Sequence, residues 1–359
     1  MPIPNAKNPL VPDFDIRIDG ASLPIEVRTR LVRLIIDDAV EIPSMFMLEF
    51  ADLVTQGKQG RRSSLSVDEA FFDVGSEVEI KLGYKGKLRS LIAGEITGLE
   101  AGFTANRSAC LTVRGYDRRH RLQRGRKTRT FVQQKDSDIA AQIAREAKLS
   151  PKTEDSRTIH DYLLQANQTD MEFLQTRARQ IQYELVVEKK TLFFRPVSNA
   201  KSAALTLTLN DDLLEFYPCL SVMGQASEVS VRSWNPQIKK AIVGKAKGGD
   251  EVSKMGGRKA GAALVKQAFG TAAIALDDRP VKTQAEADQQ ARAYFNQAAL
   301  TLIEGEGMCQ GRADLRAGQT IEIDDIGKRF SGRYYVLRTT HRYSQNGYHT
   351  HFQVRRNAS

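Results

Sequence analysis

Few residues in this chain stand at the spacings that known chemical sites require. His349 and His351 are two residues apart on a predicted strand, so both imidazoles point to one face and supply half of a metal site. Their sequence neighbours include no acidic or cysteine ligand, which favours ordinary strand polarity. The run Gly244-Lys-Ala-Lys-Gly-Gly resembles a phosphate-binding loop in composition alone, because the Gly-x4-Gly-Lys-Ser/Thr order is absent. We therefore predict no catalytic residue, no metal and no cofactor.

Paired carboxylates and cysteines give no stronger signal. Three acidic pairs lie at predicted strand ends or turns, where Asp bends or caps the backbone: Asp37-Asp38, Asp211-Asp212 and Asp324-Asp325. A glycosidase pair is not excluded by this pattern, so a cell-wall hydrolase associated with a tail stays an alternative. The three cysteines are scattered along the chain, which indicates reduced packing residues: Cys110, Cys219 and Cys309.

The chain is basic, with a formal net charge of +10, and the excess is concentrated in two stretches, Arg118–Arg129 and Lys239–Lys266. A basic nucleic-acid-binding protein is therefore a second alternative. The first stretch, however, lacks the interleaved aromatic residues of a single-strand platform and lies between a predicted strand and a predicted helix. We interpret it as a solvated or subunit-facing surface and predict that Arg118, Arg119 and Arg124 contribute to assembly.

Length and composition indicate a globular protein of two or three domains. The chain has 359 residues, of which 41% are hydrophobic and 27% are charged. No apolar run approaches the roughly 20 residues that cross a bilayer. The first residues, Met1-Pro-Ile-Pro-Asn-Ala-Lys-Asn-Pro, lack the apolar segment of a signal peptide, so we expect the protein to be made and assembled in a bacterial cytoplasm.

The elements that position these residues are mostly strands with one buried face. Alternating segments and Gly-containing turns predict an antiparallel β-barrel over residues 1–125. An α/β insertion follows at 126–200, where Thr169-Asp-Met-Glu172 is a capping box that opens a helix. A second barrel is predicted from 201–243 and 304–359, with Trp234 in its core. Residues 244–303 are predicted to form a flexible basic loop and an amphipathic helix. The predicted class is α+β, mainly β.

Two distant stretches repeat one strand pattern. Gly75-Ser-Glu-Val-Glu-Ile, Gly94-Glu-Ile-Thr-Gly-Leu and Leu111-Thr-Val-Arg return in order as Gly318-Gln-Thr-Ile-Glu-Ile, Gly332-Arg-Tyr-Tyr-Val-Leu and Phe352-Gln-Val-Arg. The offsets are 318 − 75 = 243, 332 − 94 = 238 and 354 − 113 = 241, a drift that loops accommodate. We interpret this as an internal duplication. The alternative is that a common turn-to-strand motif occurs twice by chance.

The duplication makes specific predictions about four residues. Ile80 and Ile323 should occupy matching positions and face a core, because strand alternation places each beside a neighbouring hydrophobic residue. Glu79 and Glu322 should then point away from the core, to solvent, a channel or a neighbouring subunit. A trimer of such a chain would present six pseudo-equivalent modules, which indicates a symmetry-matching role.

Several motifs in a fixed order carry a family resemblance. Gly115-Tyr-Asp-Arg-Arg-His-Arg-Leu and the segment Asp161–Leu174 precede Val231-Arg-Ser-Trp-Asn-Pro, then Gly305-Glu-Gly-Met-Cys-Gln-Gly and Tyr334-Tyr-Val-Leu-Arg-Thr-Thr-His-Arg-Tyr. Together they span about 75–355 and resemble the phage late control D family. That family includes the tail hub of contractile phages and the amino-terminal hub region of VgrG proteins.

The resemblance implies a structural hub without enzymatic activity. It implies a homotrimer whose two barrels per chain are similar to the tail-tube protein, so that six barrels match a threefold spike to a sixfold tube and enclose the channel. The partners implied are a second and third copy of the chain, a separate trimeric spike protein, the tail-tube ring and other baseplate components. Nucleic acid is implied only as possible channel cargo. The expected location is the baseplate of a phage or contractile injection particle.

Overall fold

The computed structural model describes residues 11–51, 54–56, 62–64, 71–104, 107–236, 239–278 and 280–359. Strands account for 51% of the residues and helices for 19%, so the predicted mainly-β class is confirmed. The first ten residues and most of residues 52–70, within the barrel predicted at 1–125, lie outside the described residues.

The strands are numbered in chain order. Their bounds are β1 (Pro12–Ile18), β2 (Ala21–Ser22), β3 (Leu31–Ala39), β4 (Met45–Ala51), β5 (Val54–Gln56), β6 (Arg62–Ser64), β7 (Glu77–Tyr84), β8 (Lys87–Thr104), β9 (Arg107–Asp117), β10 (Lys127–Lys135), β11 (Ser150–Thr153), β12 (Ile159–Gln168), β13 (Tyr183–Glu188), β14 (Thr191–Pro196), β15 (Thr206–Thr208), β16 (Leu213–Leu220), β17 (Glu228–Asn235), β18 (Lys240–Lys247), β19 (Ala273–Leu276), β20 (Ile303–Gln310), β21 (Thr320–Asp324), β22 (Gly332–Ser344) and β23 (Gly347–Arg356).

Helices are few and short by comparison with the sheet. Their bounds are α1 (Ile25–Arg28), a 3-10 helix (Arg118–Gln123), α2 (Asp136–Glu146), α3 (Asp170–Gln180), α4 (Gly261–Phe269) and α5 (Gln284–Leu300). The predicted capping box at the start of α3 is confirmed, because the Thr169 hydroxyl accepts from the Glu172 N–H while the Glu172 carboxylate accepts from the Thr169 N–H.

One sheet of 13 strands organises the molecule. Within it, module 1 is the antiparallel series β3-β4-β9-β8-β7, and module 2 is the antiparallel series β16-β20-β23-β22-β21. The segments 75–114 and 318–355 therefore trace the same meander, β7-β8-β9 and β21-β22-β23. The predicted duplication is confirmed in strand order, and it extends to a fourth and a fifth strand in each module.

Two pairs of β-bulges show that the modules correspond residue by residue. The register of β3 against β4 shifts between Leu31 and Arg33, and that of β16 against β20 shifts between Leu213 and Glu215. The register of β8 against β9 likewise shifts between Ile96 and Gly98, and that of β22 against β23 shifts between Val336 and Arg338. A bulge is a positional landmark, because one extra residue at that point changes the facing of every residue beyond it.

These landmarks also correct part of the sequence alignment. Ile96 matches Val336, so the glycines used as a landmark, Gly94 and Gly332, are two residues out of structural register. The first landmark is in register, because Ile80 lies opposite Ile92 and Ile323 lies opposite Gly332, its match in β22. Both isoleucines are completely buried, each in the core of its own module.

The first insertion, residues 127–196, follows module 1. It combines the ribbon β10-β12 and the sheet β11-β14-β13 with α2 and α3, which pack around a core of their own. The hydrophobic stripe of α2 includes Ile139 and Ile143, which are both fully buried as the helical spacing requires.

The second insertion, residues 221–302, lies between β16 and β20. Its sheet, β18-β17-β19, packs against α5 and α4 around a fourth core. Of the flexible basic loop and amphipathic helix predicted at 244–303, the helix is present as α5, but the loop is wrong, because it contains the end of β18, α4 and β19. The assignment of β17 to the second barrel is wrong as well. Lys240–Lys247 pairs with β17 along its whole length. Small residues of this strand, such as Gly244 and Ala246, face α5 and let the helix pack closely against the sheet. The equivalent position in module 1 is the short connection 40–44 between β3 and β4.

Candidate assembly interface

The two modules meet inside one chain, where β22 pairs with β3. This internal junction is an antiparallel ladder of seven residue pairs that begins with Arg338 opposite Ala39. The Val40 N–H donates to the carbonyl of Leu337 over 3.1 Å at the start of the ladder. Since N–H groups alternate in direction along a strand, His341 and Ile36, which lie opposite each other, face one another as a hydrogen-bonded pair.

Two ion pairs cross the internal junction beside the ladder. Arg338 Nε lies 2.6 Å from Asp37 Oδ1, and Arg316 Nε lies 2.8 Å from Asp38 Oδ2. The Ser44 hydroxyl donates to Asp38 over 2.8 Å. Burial raises the pKa of Asp38, but Arg316 and Ser44 outweigh it, so the pKa lies below its usual value. Asp38 is therefore an ionised, paired carboxylate where the modules meet.

His341 occupies the core side of the internal junction. It is completely buried, and its Nδ1 lies 2.8 Å from the Tyr348 hydroxyl and 3.2 Å from Thr350 Oγ1. Burial, with a smaller contribution from Arg316, lowers the pKa of His341 to about 3. The imidazole is therefore neutral at physiological pH.

As far as the structure describes the chain, the far end of β8 has no strand beside it on one side, whereas the equivalent part of β22 is paired with β3. β7 pairs with β8 only as far as Glu95, and beyond Gly98 the described residues give β8 one neighbour, β9. Leu99 is 42% exposed and Phe103 is 67% exposed, although both lie on the core face of the sheet. Thr339, the match of Leu99 in β22, is 0% exposed because β3 lies beside it.

The outer edge of β16 is the complementary open surface. Among the described strands β16 has one ladder neighbour, β20, whereas its match β3 is paired on both sides. Phe216 and Leu220 on the core face are half-buried, while Leu34, the match of Phe216, is completely buried. Tyr217, on the opposite face, is 63% exposed. The two modules thus share one strand arrangement but differ in how completely their edges are covered.

The glutamates predicted to face outward lie near other strands of their own chain. Glu79 accepts from Ser90 Oγ (2.9 Å) and lies 3.4 Å from Lys189 Nζ. Burial opposes these contacts, but they lower the pKa of Glu79 below its usual value. Glu322 is half-buried on β21, which lies between β15 and β22. Neither residue lies on the end of β8 or on β16, so their role in assembly stays a prediction.

The prediction of an assembly surface at Arg118 and Arg119 is wrong, because both side chains are buried. Arg119 Nε donates to Asp117 Oδ2 and Nη2 to Ser44 Oγ, both over 2.8 Å, and Nη1 donates to the Ala39 carbonyl over 3.0 Å. Arg118 pairs with Glu77 at 2.5 Å. A buried charge requires such partners, and the internal carboxylates supply them.

Most of the other charges in the first basic stretch also pair with carboxylates within the chain. Arg121 and His120 both contact the buried Glu95, and Lys127 lies 2.6 Å from Asp170. Arg129 contacts Asp170 and Glu146. Arg124 is exposed, and its side chain lies 3.5 Å from His120. The stretch fixes the first insertion to module 1 and offers little free charge to nucleic acid.

Trp234 was predicted in a core, and that prediction is wrong as well. It is 61% exposed on β17, opposite Ala241 of β18. Its strand neighbours Val229 and Val231 are buried against α5. The parity of the strand therefore turns Trp234 to the uncovered face of this three-stranded sheet.

The described residues also bear on metal binding and on membrane spanning. They contain no group of three His, Cys, Asp or Glu side chains that could hold a metal ion. His349 and His351 lie on the uncovered face of β23, where burial and Arg342 lower the pKa of His351. No helix in the described part of the chain has the length and apolar character needed to cross a membrane.

Sequence reasoning missed the open edges. The alternation of Leu99, Ala101 and Phe103 with other residues is that of any half-buried strand. The sequence of β16 around Pro218 likewise predicts an ordinary strand. The alternation signals a buried face but does not say which strand buries it. That information depends on the sheet order, which joins residues about 300 positions apart in the chain.

Comparison with solved structures shows that the fold is that of tail proteins. The 43 kDa tail protein of prophage MuSo2 from Shewanella oneidensis is 13% identical, with a TM-score of 0.70 over 96% of this chain and 98% of that chain. The tail protein from Neisseria meningitidis MC58 is 13% identical, with a TM-score of 0.69 over 96% of each chain. The Escherichia coli c3393 protein, a component of the type VI secretion system, is 13% identical, with a TM-score of 0.62 over 96% of this chain and 77% of that chain.

Sequence comparison identifies a family but no individual relative. No curated protein matches the chain. Residues 9–345 match the family model described as the Alg8 N-terminal domain, a description that names a domain and no reaction. The match covers nearly the whole chain and includes module 1, both insertions and module 2 up to β23. The chain therefore belongs to the Alg8 N-terminal domain family.

Proposed function

We propose that this protein is the structural hub of a contractile tail or injection-system baseplate, assembled as a homotrimer. The observation that carries the proposal is the pair of equivalent modules that lie side by side in one sheet. One end of that sheet path exposes β16, and the part of β8 that extends beyond its pairing with β7 is open as well. A chain of this kind can be extended by further copies without a new kind of contact.

The tandem arrangement converts a threefold assembly into a ring with sixfold character. Each chain contributes two modules, so three chains contribute six. The doubling comes from the structure of the chain, and the number three comes from its resemblance to the late control D family. Such a ring fits a threefold central spike on one side and a sixfold tail tube on the other.

The uncovered face of the sheet would line the channel of this ring. The cores and insertions cover the opposite face, which leaves a polar surface of mixed charge that includes Arg114, Arg342, Gln353 and Glu306. Mixed charge suits a passage for cargo better than a tight binding site for it. Nucleic acid enters this proposal only as such cargo, and the role is structural rather than enzymatic.

The partners in this proposal are other copies of the chain, a trimeric spike, the tail-tube ring and other baseplate components. The shared fold with a phage tail protein and a type VI secretion component supports that setting. The protein would be assembled in a bacterial cytoplasm and carried in the particle.

Light scattering of the purified chain, alone and with its spike protein, tests the proposal. The expected mass is three times 40.0 kDa, plus three spike chains in the complex. A monomer or a twofold dimer in the presence of the spike is incompatible with the hub. The spike is included because assembly of the ring can depend on it.

A further inference from the structure

We propose that the far end of β8 pairs with β16 of a neighbouring copy of this chain in one fixed antiparallel register. Leu99 would lie opposite Leu220 of the partner subunit, and Glu100 opposite Cys219 of the partner subunit. This inference rests on the proposed trimer, but it specifies the contacting strands and residues, which the trimer alone does not.

The register follows from the bulges that the two modules share. The bulge in β8 matches Gly98 with Arg338, so Leu99, Glu100 and Ala101 match Thr339, Thr340 and His341. The bulge in β16 matches Glu215 with Arg33. On the same count, Pro218, Cys219 and Leu220 match Ile36, Asp37 and Asp38.

The internal junction then supplies the pairing. There, Thr339 lies opposite Asp38, Thr340 opposite Asp37 and His341 opposite Ile36. Replacing each β22 residue by its match in β8, and each β3 residue by its match in β16, gives the residue pairs of the proposed contact between two chains. Those pairs are Leu99 with Leu220, Glu100 with Cys219, Ala101 with Pro218, Gly102 with Tyr217 and Phe103 with Phe216.

The exposed side chains support this partner. The proposed contact brings Leu99 and Phe103, both open on the core face, against Leu220 and Phe216, which are half-buried on the same face. In the internal junction the match of Leu99, Thr339, is 0% exposed, and the match of Phe103, Tyr343, is half-buried. A second copy of the chain would therefore give β8 the cover that β3 gives β22.

The backbone of β16 is also suited to an outer edge. The Ser221 N–H donates to the Leu302 carbonyl on the β20 side, so alternation turns the backbone groups of Leu220, Pro218 and Phe216 to the open side. Pro218 has no N–H, and within a sheet Pro is found mainly on edge strands such as β16. The missing donor protects the isolated edge from indiscriminate strand pairing and removes one hydrogen bond from the proposed contact.

The side-chain chemistry differs from that of the internal junction. Asp37 and Asp38 are replaced by Cys219 and Leu220, and Arg338 is replaced by Gly98. The ion pairs of the internal junction are thus absent here, and apolar contact takes their place. Glu100 is held on the uncovered face by Arg114 at 3.0 Å, on the side of the sheet where Cys219 is exposed.

A cross-linking experiment tests the register. Thr340 and Asp37 form a non-hydrogen-bonded pair, because the hydrogen-bonded positions are the alternate ones such as His341 and Ile36. Residues opposite each other in such a pair have Cα atoms about 4.5 Å apart, within disulfide range. Glu100→Cys, made in a Cys110→Ser background, should form a disulfide with native Cys219 of the next chain under mild oxidation. The two thiols lose two electrons to the added oxidant and two protons to the buffer.

The expected result is a covalent trimer on a non-reducing gel, which returns to monomer with reductant. Two controls fix the register. Ala101→Cys places the thiol on the opposite face, and Gly98→Cys, where a side chain meets open space, reports a shift of two residues. Both should give little cross-linking, as should Glu100→Cys combined with Cys219→Ser. Thermal melts of the reduced variants establish that each is folded.

The outcomes separate this inference from the proposed function. A trimer by light scattering that cross-links through Gly98→Cys, or through neither position, overturns the register and leaves the hub intact. A folded protein that stays monomeric with its spike, and gives no cross-link, overturns both.

Discussion

The internal junction and the contact proposed between the open edges use equivalent strands of the two modules, but with different chemistry. At the junction of β22 with β3, Arg338 pairs with Asp37 and Arg316 with Asp38, and the core behind them is closed. The matching positions at the open edges are Gly98, Cys219 and Leu220, with exposed Leu99 and Phe103 beside them.

The difference follows from how each contact is held. Strands within one chain are linked covalently, so their junction needs little intrinsic affinity and can use ion pairs that fix register. Strands from separate chains lose translational freedom when they associate, so their contact benefits from apolar surface. The duplicated module has thus kept its fold while its two edges acquired different side chains.

The largest expected effect is on assembly. Changing both Leu99 and Phe103 to Asp removes two apolar contacts and adds two charges at each interface, a loss of about 3 kcal/mol or more per interface. Light scattering should show a folded monomer. Val132→Asp on β10 is the matched control, because Val132 is 58% exposed but lies on neither edge. A trimer that survives the double change would mean that the ring is held elsewhere.

The next effect compares the two cores. Ile80→Ala and Ile323→Ala should each lower the free energy of unfolding by about 2–5 kcal/mol, because both side chains are completely buried at matching positions. Denaturant titration measures this directly. Glu79→Ala and Glu322→Ala are the neighbouring controls and should change stability by about 0.5 kcal/mol or less. A large loss for one isoleucine and a negligible loss for the other would contradict the equivalence of the modules.

A smaller effect is the pH dependence of folding stability that His341 of module 2 contributes. His341 has a pKa of about 3 when folded and about 6.5 when unfolded, so below pH 6.5 the unfolded chain binds a proton that the folded chain does not. Its contribution to stability is complete above pH 6.5 and falls by about 1.4 kcal/mol per pH unit towards pH 3. Ala101, its match in module 1, cannot titrate.

The His341→Gln variant isolates this contribution from that of the carboxylates. Stability curves of the variant and the parent from pH 7 to pH 4 should converge as the pH falls. Curves that stay parallel over that range would show that His341 does not titrate between the folded and unfolded states.

The smallest effect concerns the ion pairs of the internal junction. Asp37→Asn removes a charge pair with Arg338, whose side chain is 44% exposed, so the expected loss of stability is about 1 kcal/mol or less. The trimer should be unaffected, since this junction is within the chain. Dissociation of the trimer in this variant would show that the two kinds of contact are coupled.

Local patterns in the sequence predicted the strands, the capping box of α3 and the repeated meander. These depend on periodicity and on contacts within a few residues, so they can be read from one segment at a time. Ile80 and Ile323 could be placed in cores for the same reason. The match of the first landmark was in register because it lies within one strand.

Features that depend on distant partners could not be predicted. The charge of Arg118 and Arg119 indicated a surface, but Arg118 pairs with Glu77, and Arg119 donates to Ser44 and to the carbonyl of Ala39, all distant in the chain. The Gly- and Lys-rich part of 244–303 indicated a loop, because its small residues show no hydrophobic periodicity. They become ordered only against α5 and β17, which the local pattern does not show.

The measurement that tests the central claim most directly is an electron cryo-microscopy map of the protein bound to its spike. We predict a threefold complex in which the six modules form one continuous ring. Internal junctions at β22 and β3 should alternate with intersubunit junctions at β8 and β16. A threefold map with no strand pairing between subunits, or a closed assembly of another symmetry, would contradict the account.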